Sequence, residues 1–410
     1  MLLSYRVSNY RSICEPVEID FIGNSYRDQT QYEPYFNIGK QRILKGIGIF
    51  GANASGKSNI LRSLNAFAYT ILQSAYFSEG QTNESIVPFA FSEKGSKEPT
   101  VFDICFLFDS TKYFYHLALT RERIESETLS YSPNGRKVIL LERNEGSLTL
   151  NRSLFNDQIR SVIRDRNLSN KPVVTFAAQF NIDILKNVYS FVKNDLLFIS
   201  GLNEAQEHSI GALIDKDDQY RKFLVSLVKA ADLSIDDVTV RKESPNRYLK
   251  GETPDNPDRK DIFRVYTTHQ IGSATHSLSL EAESQGTLKV VAASKILYSA
   301  LKSGSFIVFD EFGSSFHPDL TQFLLSLFFD STINTSGAQI LFATHDTRLL
   351  NSMILRRDEI YISERDADKQ YTKLYPLSDF SARKLENIEN GFLNGRYIAP
   401  PNIDEGKLKI

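Results

Sequence analysis

Apolar and polar residues alternate in two short segments near the start of the chain, residues 2–7 and 17–21, and this alternation predicts two strands. Gly46–Phe50 is a wholly apolar run that ends at a glycine-rich turn. Over residues 59–74 the apolar side chains recur at the spacing of a helix. This part of the chain therefore predicts a strand, a loop and a helix in succession.

The pattern changes over residues 99–151, where β-branched and aromatic residues dominate. Turn-prone triplets interrupt it at short intervals, so the segment predicts an antiparallel meander. Its five strands are expected at residues 101–108, 113–120, 124–131, 137–142 and 147–150.

Residues 152–235 show mostly helical periodicity, and no heptad runs through several repeats, so a long coiled-coil arm is not expected. The stretch 243–260 is polar and contains three prolines, which is typical of an exposed loop. Further on, apolar strands alternate with helices, which is the pattern of a parallel sheet. The strands are expected at 262–266, Phe306–Phe309, Gln339–Ala343 and 359–363, and the helices at 288–301 and 319–329.

These patterns together predict an α/β fold in which a mainly parallel core sheet carries an antiparallel β subdomain and a helical insertion. We expect an N-terminal lobe over residues 1–151 and a C-terminal lobe over residues 261–410. The segment between them, 152–260, is expected to form the helical insertion and an exposed loop, and to offer a surface for a partner protein.

Composition and charge are those of an ordinary soluble protein: of 410 residues, 41% are hydrophobic and 24% are charged. The net charge of −2 shows no excess of basic residues, which a dedicated duplex-DNA binder usually has, although a local basic groove is still an alternative. Cys14 and Cys105 are the only cysteines, so neither a disulfide framework nor a zinc cluster is expected. With no secretory signal and no apolar run near the ~20 residues that cross a bilayer, we expect a cytoplasmic protein.

Residues 51–58, GANASGKS, fit the phosphate-binding pattern G-x-x-x-x-G-K-S between a predicted strand and a predicted helix. The glycines let consecutive backbone N–H groups face a phosphate, and the helix adds its positive end. Lys57 is expected to reach the β- and γ-phosphates of ATP, and the Ser58 hydroxyl to bind Mg²⁺; an ordinary glycine-rich turn is the alternative. The candidate nucleotide ligands here are Gly51, Asn53, Ser55, Gly56, Lys57, Ser58 and Asn59.

Two acidic residues, Asp310 and Glu311, follow the apolar strand Phe306–Phe309. A parallel sheet brings the carboxyl ends of its strands to the ligand crevice, so Asp310 is the candidate Mg²⁺ ligand beside Ser58. Glu311 is the candidate base that polarises the attacking water, and two surface carboxylates closing a strand are the alternative. His345 follows the next apolar strand and is a candidate contact for the γ-phosphate or the water, although a lone histidine is more often structural.

Ser284, Gly286 and Thr287 stand directly before the helix predicted at 288–301. Hydroxyls and free N–H groups at a helix start form an anion site, while a plain helix N-cap is the alternative. Their position shortly before the acidic pair in the sequence favours the interpretation that they form a further part of the nucleotide site.

The four motifs are the phosphate-binding loop, the serine–glycine–threonine segment, the acidic pair and the histidine. In their order along the chain they resemble the ABC-type ATPases, which include the structural-maintenance-of-chromosomes (SMC) proteins, the RecF-type repair proteins and the overcoming-lysogenisation-defect (OLD) family. The closest resemblance is to compact, OLD-related ATPases of the AAA15 type, which are often encoded in bacterial abortive-infection and anti-phage modules. NYRS at 9–12 is similar to the N-F-R-S start of that family. ESQGT at 283–287 and DEFGSSFHP at 310–318 are similar to its signature and its D-E-x-x-x-x-L-H-P run.

The resemblance implies a head-to-tail homodimer in which the P-loop of one subunit faces residues 284–287 of the other, with ATP between them. It also implies that Arg11 lies near the nucleotide and that the loop 314–317 crosses the dimer interface. The signature differs from that of membrane transporters, and no Toprim-type acidic cluster follows, so a fused nuclease is not expected. No residue is identified as the glutamine loop of these ATPases.

From this resemblance we expect an ATPase that regulates a bacterial anti-phage module and controls a separately encoded effector, such as a Toprim-type nuclease. The alternative is a DNA-repair ATPase that clamps DNA as an ATP-bound dimer, and the slightly acidic balance argues against it. A third hypothesis is a scaffold that binds ATP and turns it over very slowly, against which the presence of Glu311 argues.

Overall fold

The structure is a computed structural model of the chain. It describes residues 1–24, 30–92, 95, 97–144, 146–166, 168–199, 204–231, 234–243, 262–314, 316–351, 353–380 and 387–397. Most of the loop predicted at 243–260, and Ser315 of the predicted interface loop, lie outside these residues.

Most of the strands and helices that the hydrophobic pattern predicts are present in the structure. The strands are β1 (Leu2–Ser8), β2 (Val17–Asp20), β3 (Tyr35–Ile38), β4 (Gln41–Leu44), β5 (Gly46–Phe50), β6 (Thr100–Phe108), β7 (Thr111–Leu119), β8 (Ile124–Ser132), β9 (Val138–Asn144), β10 (Ser147–Leu150), β11 (Leu196–Ile199), β12 (Asp237–Glu243), β13 (Ile262–Ile271), β14 (Ala274–Ser279), β15 (Phe306–Phe309), β16 (Gln339–Ala343), β17 (Ile360–Arg365) and β18 (Thr372–Pro376). The helices are α1 (Lys57–Gln73), α2 (Asp157–Arg166), α3 (Val173–Gln179), α4 (Asn187–Asn194), α5 (Glu204–Lys216), α6 (Asp218–Ala230), α7 (Gln285–Ser303), α8 (Pro318–Phe329) and α9 (Ile388–Leu393). Within the described ranges, none of these helices is long and apolar enough to cross a bilayer.

A six-stranded sheet forms the core, in the order β11-β15-β16-β5-β17-β18. Neighbouring strands are parallel except for β18, which runs antiparallel to β17. β5 and β16 are buried along their whole length, which explains why all of their residues except Gln339 are apolar. The predicted α/β fold with a mainly parallel core sheet is confirmed, and the carboxyl ends of β5, β15 and β16 meet at one edge.

Successive residues of the core strands point to opposite faces, and each face has its own apolar cluster. Ile49 and Leu341 pack in a cluster with α1 and strands of a second sheet, whereas Phe50 and Phe342 pack in a cluster with α7 and α8. Gly48 makes room on the crowded face, since a Cβ atom there would lie 2.6 Å from Cζ of Phe342. The core sheet is therefore the middle layer of a three-layer fold.

The second sheet has seven strands in the order β10-β9-β8-β7-β6-β1-β2, all antiparallel. It confirms the predicted meander and adds the two N-terminal strands to it. Phe67 of α1 packs against Phe102 and Tyr115 of this sheet, with ring centroids 5.7 and 6.1 Å apart. The buried side chain of Gln339 joins the two sheets, because it accepts a hydrogen bond from the Leu2 N–H (2.7 Å) and donates one to the Leu2 carbonyl (3.1 Å).

In its described residues, the segment predicted as a helical insertion contains five helices, α2 to α6, and also a strand of the core sheet. That strand, Leu196–Ile199, was not predicted, because periodicity alone does not distinguish a four-residue apolar run from part of a helix. It pairs in parallel with β15 and so binds this segment to the core. Farther along the chain, β12, β13 and β14 form a small antiparallel sheet that leads directly into α7. The division into lobes at residues 151 and 260 stays a prediction.

Candidate nucleotide-binding site

The loop 51–58 connects the carboxyl end of β5 to the first turn of α1. Gly56 is the residue before the helix and has φ 103°, a left-handed conformation that favours glycine. A Cβ atom at Gly56 would lie 1.9 Å from Oγ1 of Thr372, and one at Gly51 would lie 2.3 Å from the carbonyl oxygen of Ser363. The two glycines therefore permit the close approach of β17 and β18, which hold the loop from outside.

The Lys57 ammonium group points back into the loop. Nζ donates hydrogen bonds to the carbonyl oxygens of Gly51 (2.8 Å) and Ala52 (3.0 Å), and it lies 3.4 Å from Nδ1 of His345. Burial lowers the pKa of Lys57 to about 8, against the opposing effect of the negative charge of Asp310. Most of the Lys57 population is thus still cationic at neutral pH and able to bind a phosphate.

Ser58 and Asp310 are brought together, as the sequence predicts for a magnesium site. The Ser58 hydroxyl donates to Oδ1 of Asp310 at 3.0 Å, and the Glu311 N–H donates to the same oxygen at 3.0 Å. A hydroxyl and a carboxylate are the hard oxygen ligands that Mg²⁺ prefers. This pair fits the metal by its chemistry, although the role itself stays a prediction.

Glu311 and His345 stand at the ends of neighbouring strands beside this pair. Glu311 is exposed and has φ 55°, an uncommon conformation for a residue other than glycine, and such backbone strain is frequent at functional sites. The turn after Glu311 is attached to the end of β16, because the Phe312 N–H donates to the Ala343 carbonyl at 2.8 Å. Desolvation and then the charge of Lys57 lower the pKa of His345, so its ring is neutral at pH 7 and offers one donor and one acceptor.

A cavity of about 310 Å³ opens over the loop, a size at the lower end of small-molecule sites. Its lining residues are Ser12, Asn53, Ala54, Ser55, Gly56, Lys57, Ser58, Asn59, His345 and Arg365. The predicted P-loop ligands other than Gly51 therefore line one space together with His345, and Asp310 adjoins it through its bond to Ser58.

The NYRS sequence supports the loop through its last residue. The Ser12 hydroxyl accepts a hydrogen bond from the Asn59 amide at 2.8 Å and lies 2.7 Å from Oγ1 of Thr372. Arg11 is exposed, with its guanidinium 5.7 Å from the ring centre of Tyr10, and it does not line the cavity. Its proximity to the nucleotide stays a prediction, whereas Ser12, which was not proposed as a ligand, faces the cavity.

The signature residues lie apart from this cavity in the single chain. Ser284 caps α7, where its Oγ accepts from the Thr287 N–H at 3.1 Å and lies 2.9 Å from the Thr287 hydroxyl. None of Ser284, Gly286 and Thr287 lines the cavity over the P-loop, and Ser284 is exposed. One copy thus presents the phosphate loop and the signature helix as two separate surfaces.

Three further residues of the site were missed by sequence reasoning. Ser363 donates from its hydroxyl to the Ser55 carbonyl at 3.0 Å, and a serine directly after the apolar run Ile360–Ile362 is a signal that could have identified it. Arg365 lines the cavity, and Thr372 fills the space beside Gly56. Neither carries a local sequence signal, since both come from strands whose position depends on the whole sheet.

Thr372→Val tests whether β18 shapes the loop. Valine keeps the shape of threonine but removes the hydroxyl that contacts Ser12, and a neutral hydrogen bond contributes about 1 kcal/mol. We expect nucleoside triphosphate affinity to fall about fivefold, measured by titration with a fluorescent analogue. The matched control is Thr128→Val on β8 of the other sheet. Equal affinities for the two variants would show that the hydroxyl contact does not matter.

No curated protein matches the chain. Among solved structures it is similar to an SMC head bound to the C-terminal winged-helix domain of ScpA, at 15% identity over 91% of this chain and 96% of that one, with a TM-score of 0.42. It is also similar to the SMC head domain from Thermotoga maritima, at 14% identity over 92% and 98% of the two chains, with a TM-score of 0.39.

A family model described as "AAA domain, putative AbiEii toxin, Type IV TA system" matches residues 47–351. The match begins at β5 and ends after His345, so it includes the phosphate loop, the signature, the acidic pair and the histidine. Because it spans well over half of the sequence, the chain belongs to this family of AAA domains.

Proposed function

We propose that this protein hydrolyses ATP, and that it does so between two copies of itself. The observation that carries the proposal is the convergence of Lys57, the Ser58–Asp310 pair, Glu311 and His345 at the ends of three parallel strands. Phosphoryl transfer to water depends on positioning and charge neutralisation, and these residue types provide both.

Each residue has a distinct part in this mechanism. Lys57 leaves the loop carbonyl groups and donates to phosphate oxygens, while Ser58 and Asp310 would hold Mg²⁺. When bound, that ion supplies neutralising charge at the phosphates. Glu311 accepts a proton from the water that attacks the γ-phosphorus, as the bond to the leaving ADP oxygen breaks. The neutral His345 donates a hydrogen bond to the γ-phosphate.

The second copy would supply the signature. The exposed Ser284 stands at the start of α7, a helix of nineteen residues, with the buried Thr287 in the first turn, and the helix dipole at such a start favours an anion. In one chain this start is separate from the P-loop cavity. A head-to-tail pair brings each α7 start onto the phosphates held by the other subunit and closes both sites.

Glu311→Gln tests the assignment of the base. Glutamine keeps the size and the backbone conformation but cannot accept the proton, so we expect kcat to fall at least about a hundredfold. Affinity for ATP should stay within about twofold, because the contacts to phosphate are unchanged. Steady-state phosphate release and nucleotide titration measure the two effects. Lys57→Ala is the contrasting variant, in which the binding of ATP itself weakens. Full turnover by Glu311→Gln would show that Glu311 is not the base.

Mixing two inactive variants tests the shared site. Lys57→Ala removes a P-loop, and Gly286→Asp places a negative charge where the phosphate would meet α7 while remaining compatible with a helix start. In a head-to-tail mixed dimer, one site has both defects and the other has none. An equal mixture should recover up to about a quarter of wild-type turnover by random pairing. If each site were built within one chain, the mixture would stay as inactive as its components.

The biological role that we propose is an ATP-dependent regulatory subunit of a bacterial anti-phage module, acting in the cytoplasm. Two observations support it: the resemblance to OLD-related ATPases of abortive-infection modules, and a family description that names a putative toxin of a toxin–antitoxin system. The dimer formed with ATP would hold a separate effector, and hydrolysis would release it. A nuclease is one such effector.

Capture of partners from the native cell tests this role. Glu311→Gln, held with ATP, should retain an effector encoded beside it, and Lys57→Ala should not, because it cannot form the ATP-bound state. Cells that carry the native locus should also lose phage resistance with either variant, measured as plaque counts. Recovery of DNA without a protein partner, with salt-dependent binding, would support the repair clamp instead. Unchanged plaque counts with Lys57→Ala would contradict the defence role.

A further inference from the structure

Lys289 links helix α7 to the turn that carries Glu311. It lies in the second turn of α7, and its Nζ donates to the carbonyl oxygen of Ser314 at 2.9 Å and to the Ser314 hydroxyl at 3.1 Å. Hydrogen bonds from a charged donor are about twice as strong as neutral ones, so two of them form a firm connection. The side chain is half-buried, which limits competition from water.

The turn itself is short and internally bonded. The Ser314 N–H donates to the Glu311 carbonyl oxygen at 3.0 Å, so one hydrogen bond separates the Lys289 acceptor from the residue that we assign as the base. On the other side the Thr344 hydroxyl donates to the Phe312 carbonyl at 2.7 Å. The turn is therefore held by α7 at one end and by the end of β16 at the other.

A cavity of about 250 Å³ lies between Lys289 and the acidic pair. Asp310, Glu311 and Ser314 line it together with the apolar side chains of Ile199, Phe309 and Phe316. It has room for several water molecules at about 30 Å³ each. Glu311 thus borders open volume on this side, and the position of its turn depends on the contacts of Ser314 rather than on close packing around the carboxylate.

We propose that Lys289 is a positioning residue that couples the two ATP sites of the dimer within each subunit. This inference rests on the proposed function. The start of α7 faces the nucleotide held by the partner copy, whereas the Glu311 turn faces the nucleotide held by its own P-loop. A helix moves as a unit, so a displacement of its start on ATP binding is passed through Lys289 and Ser314 to Glu311.

A purely structural role of Lys289 predicts something different. A lysine that only fastens a loop to a helix would lower thermal stability when removed and would leave the dependence of one site on the other unchanged. Lys295 is the comparison within the same helix, because its Nζ donates to the Ser209 hydroxyl of α5 and makes no contact with the Glu311 turn. Lys295→Met removes an equivalent lysine contact from α7 without touching the proposed coupling.

The experiment compares Lys289→Met, Lys289→Arg and Lys295→Met with the wild type. For Lys289→Met we expect kcat to fall about tenfold, because small errors in the position of a catalytic group have effects of this size or larger. The ATP dissociation constant, measured in the Glu311→Gln background, should change less than about twofold, since the P-loop is intact. The Hill coefficient of turnover should fall from near two, its limit for two sites, to one. Lys289→Arg, which keeps the charge and the donors, should restore most of the kcat.

Ser314→Ala covers the case in which Lys289→Met does not fold, because it removes only one of the two acceptors; we expect it to lower both kcat and the Hill coefficient in part. A wild-type kcat and Hill coefficient in Lys289→Met, or in Ser314→Ala, would overturn the inference. A fall of both quantities in Lys295→Met would overturn it as well. A wild type that hydrolyses ATP with a Hill coefficient of one would overturn the coupling and leave the ATPase intact. A wild type that neither binds nor hydrolyses ATP would instead overturn the proposed function.

Discussion

The hydrogen bond between Ser58 and Asp310 is the contact on which the rest of the site depends. It joins the first turn of α1 to the end of β15, across 252 residues of sequence. The two groups meet because β16 lies between β5 and β15 and sets their register: Phe309 is opposite Phe342, and Ala343 is opposite Ile49. A slip of one residue in either pairing would turn the core side chains to the wrong face and separate the hydroxyl from the carboxylate.

The loop is also shaped from outside, by strands that contribute nothing to the P-loop motif. Ser363 and Thr372 occupy the space that side chains at positions 51 and 56 would need, so the glycines and these two residues form one packed unit. Asn59 and Ser12 of the cavity wall then form a chain of hydrogen bonds that continues to Thr372. The shape of the phosphate loop therefore depends on these surrounding contacts and not only on its own sequence.

The sequence predicts the parts of the molecule that depend on local patterns. Apolar runs identify β5, β15 and β16, and β-branched residues with regular turns identify the meander. A strand buried on two faces and a strand buried on one face differ in their hydrophobic periodicity. The P-loop, Asp310 and Glu311 follow from those strands. What the sequence does not reveal is set by distant contacts. β11 is too short to show a period, and only the order of strands in the sheet brings Arg365 to the cavity and Thr372 to Gly56.

The bonds of Gln339 to the Leu2 backbone connect positions 337 residues apart, and they have a consequence for synthesis of the chain. β1 is made long before β16, the core strand that carries Gln339. The same is true of Ser12, whose neighbour Thr372 is translated later still. Until β16 and β18 have been made, a nascent chain therefore carries β1 without its bonds to Gln339 and a phosphate loop without Thr372 beside it. Contacts of such long range form slowly and late, so the nucleotide site cannot be completed before β18 has left the ribosome.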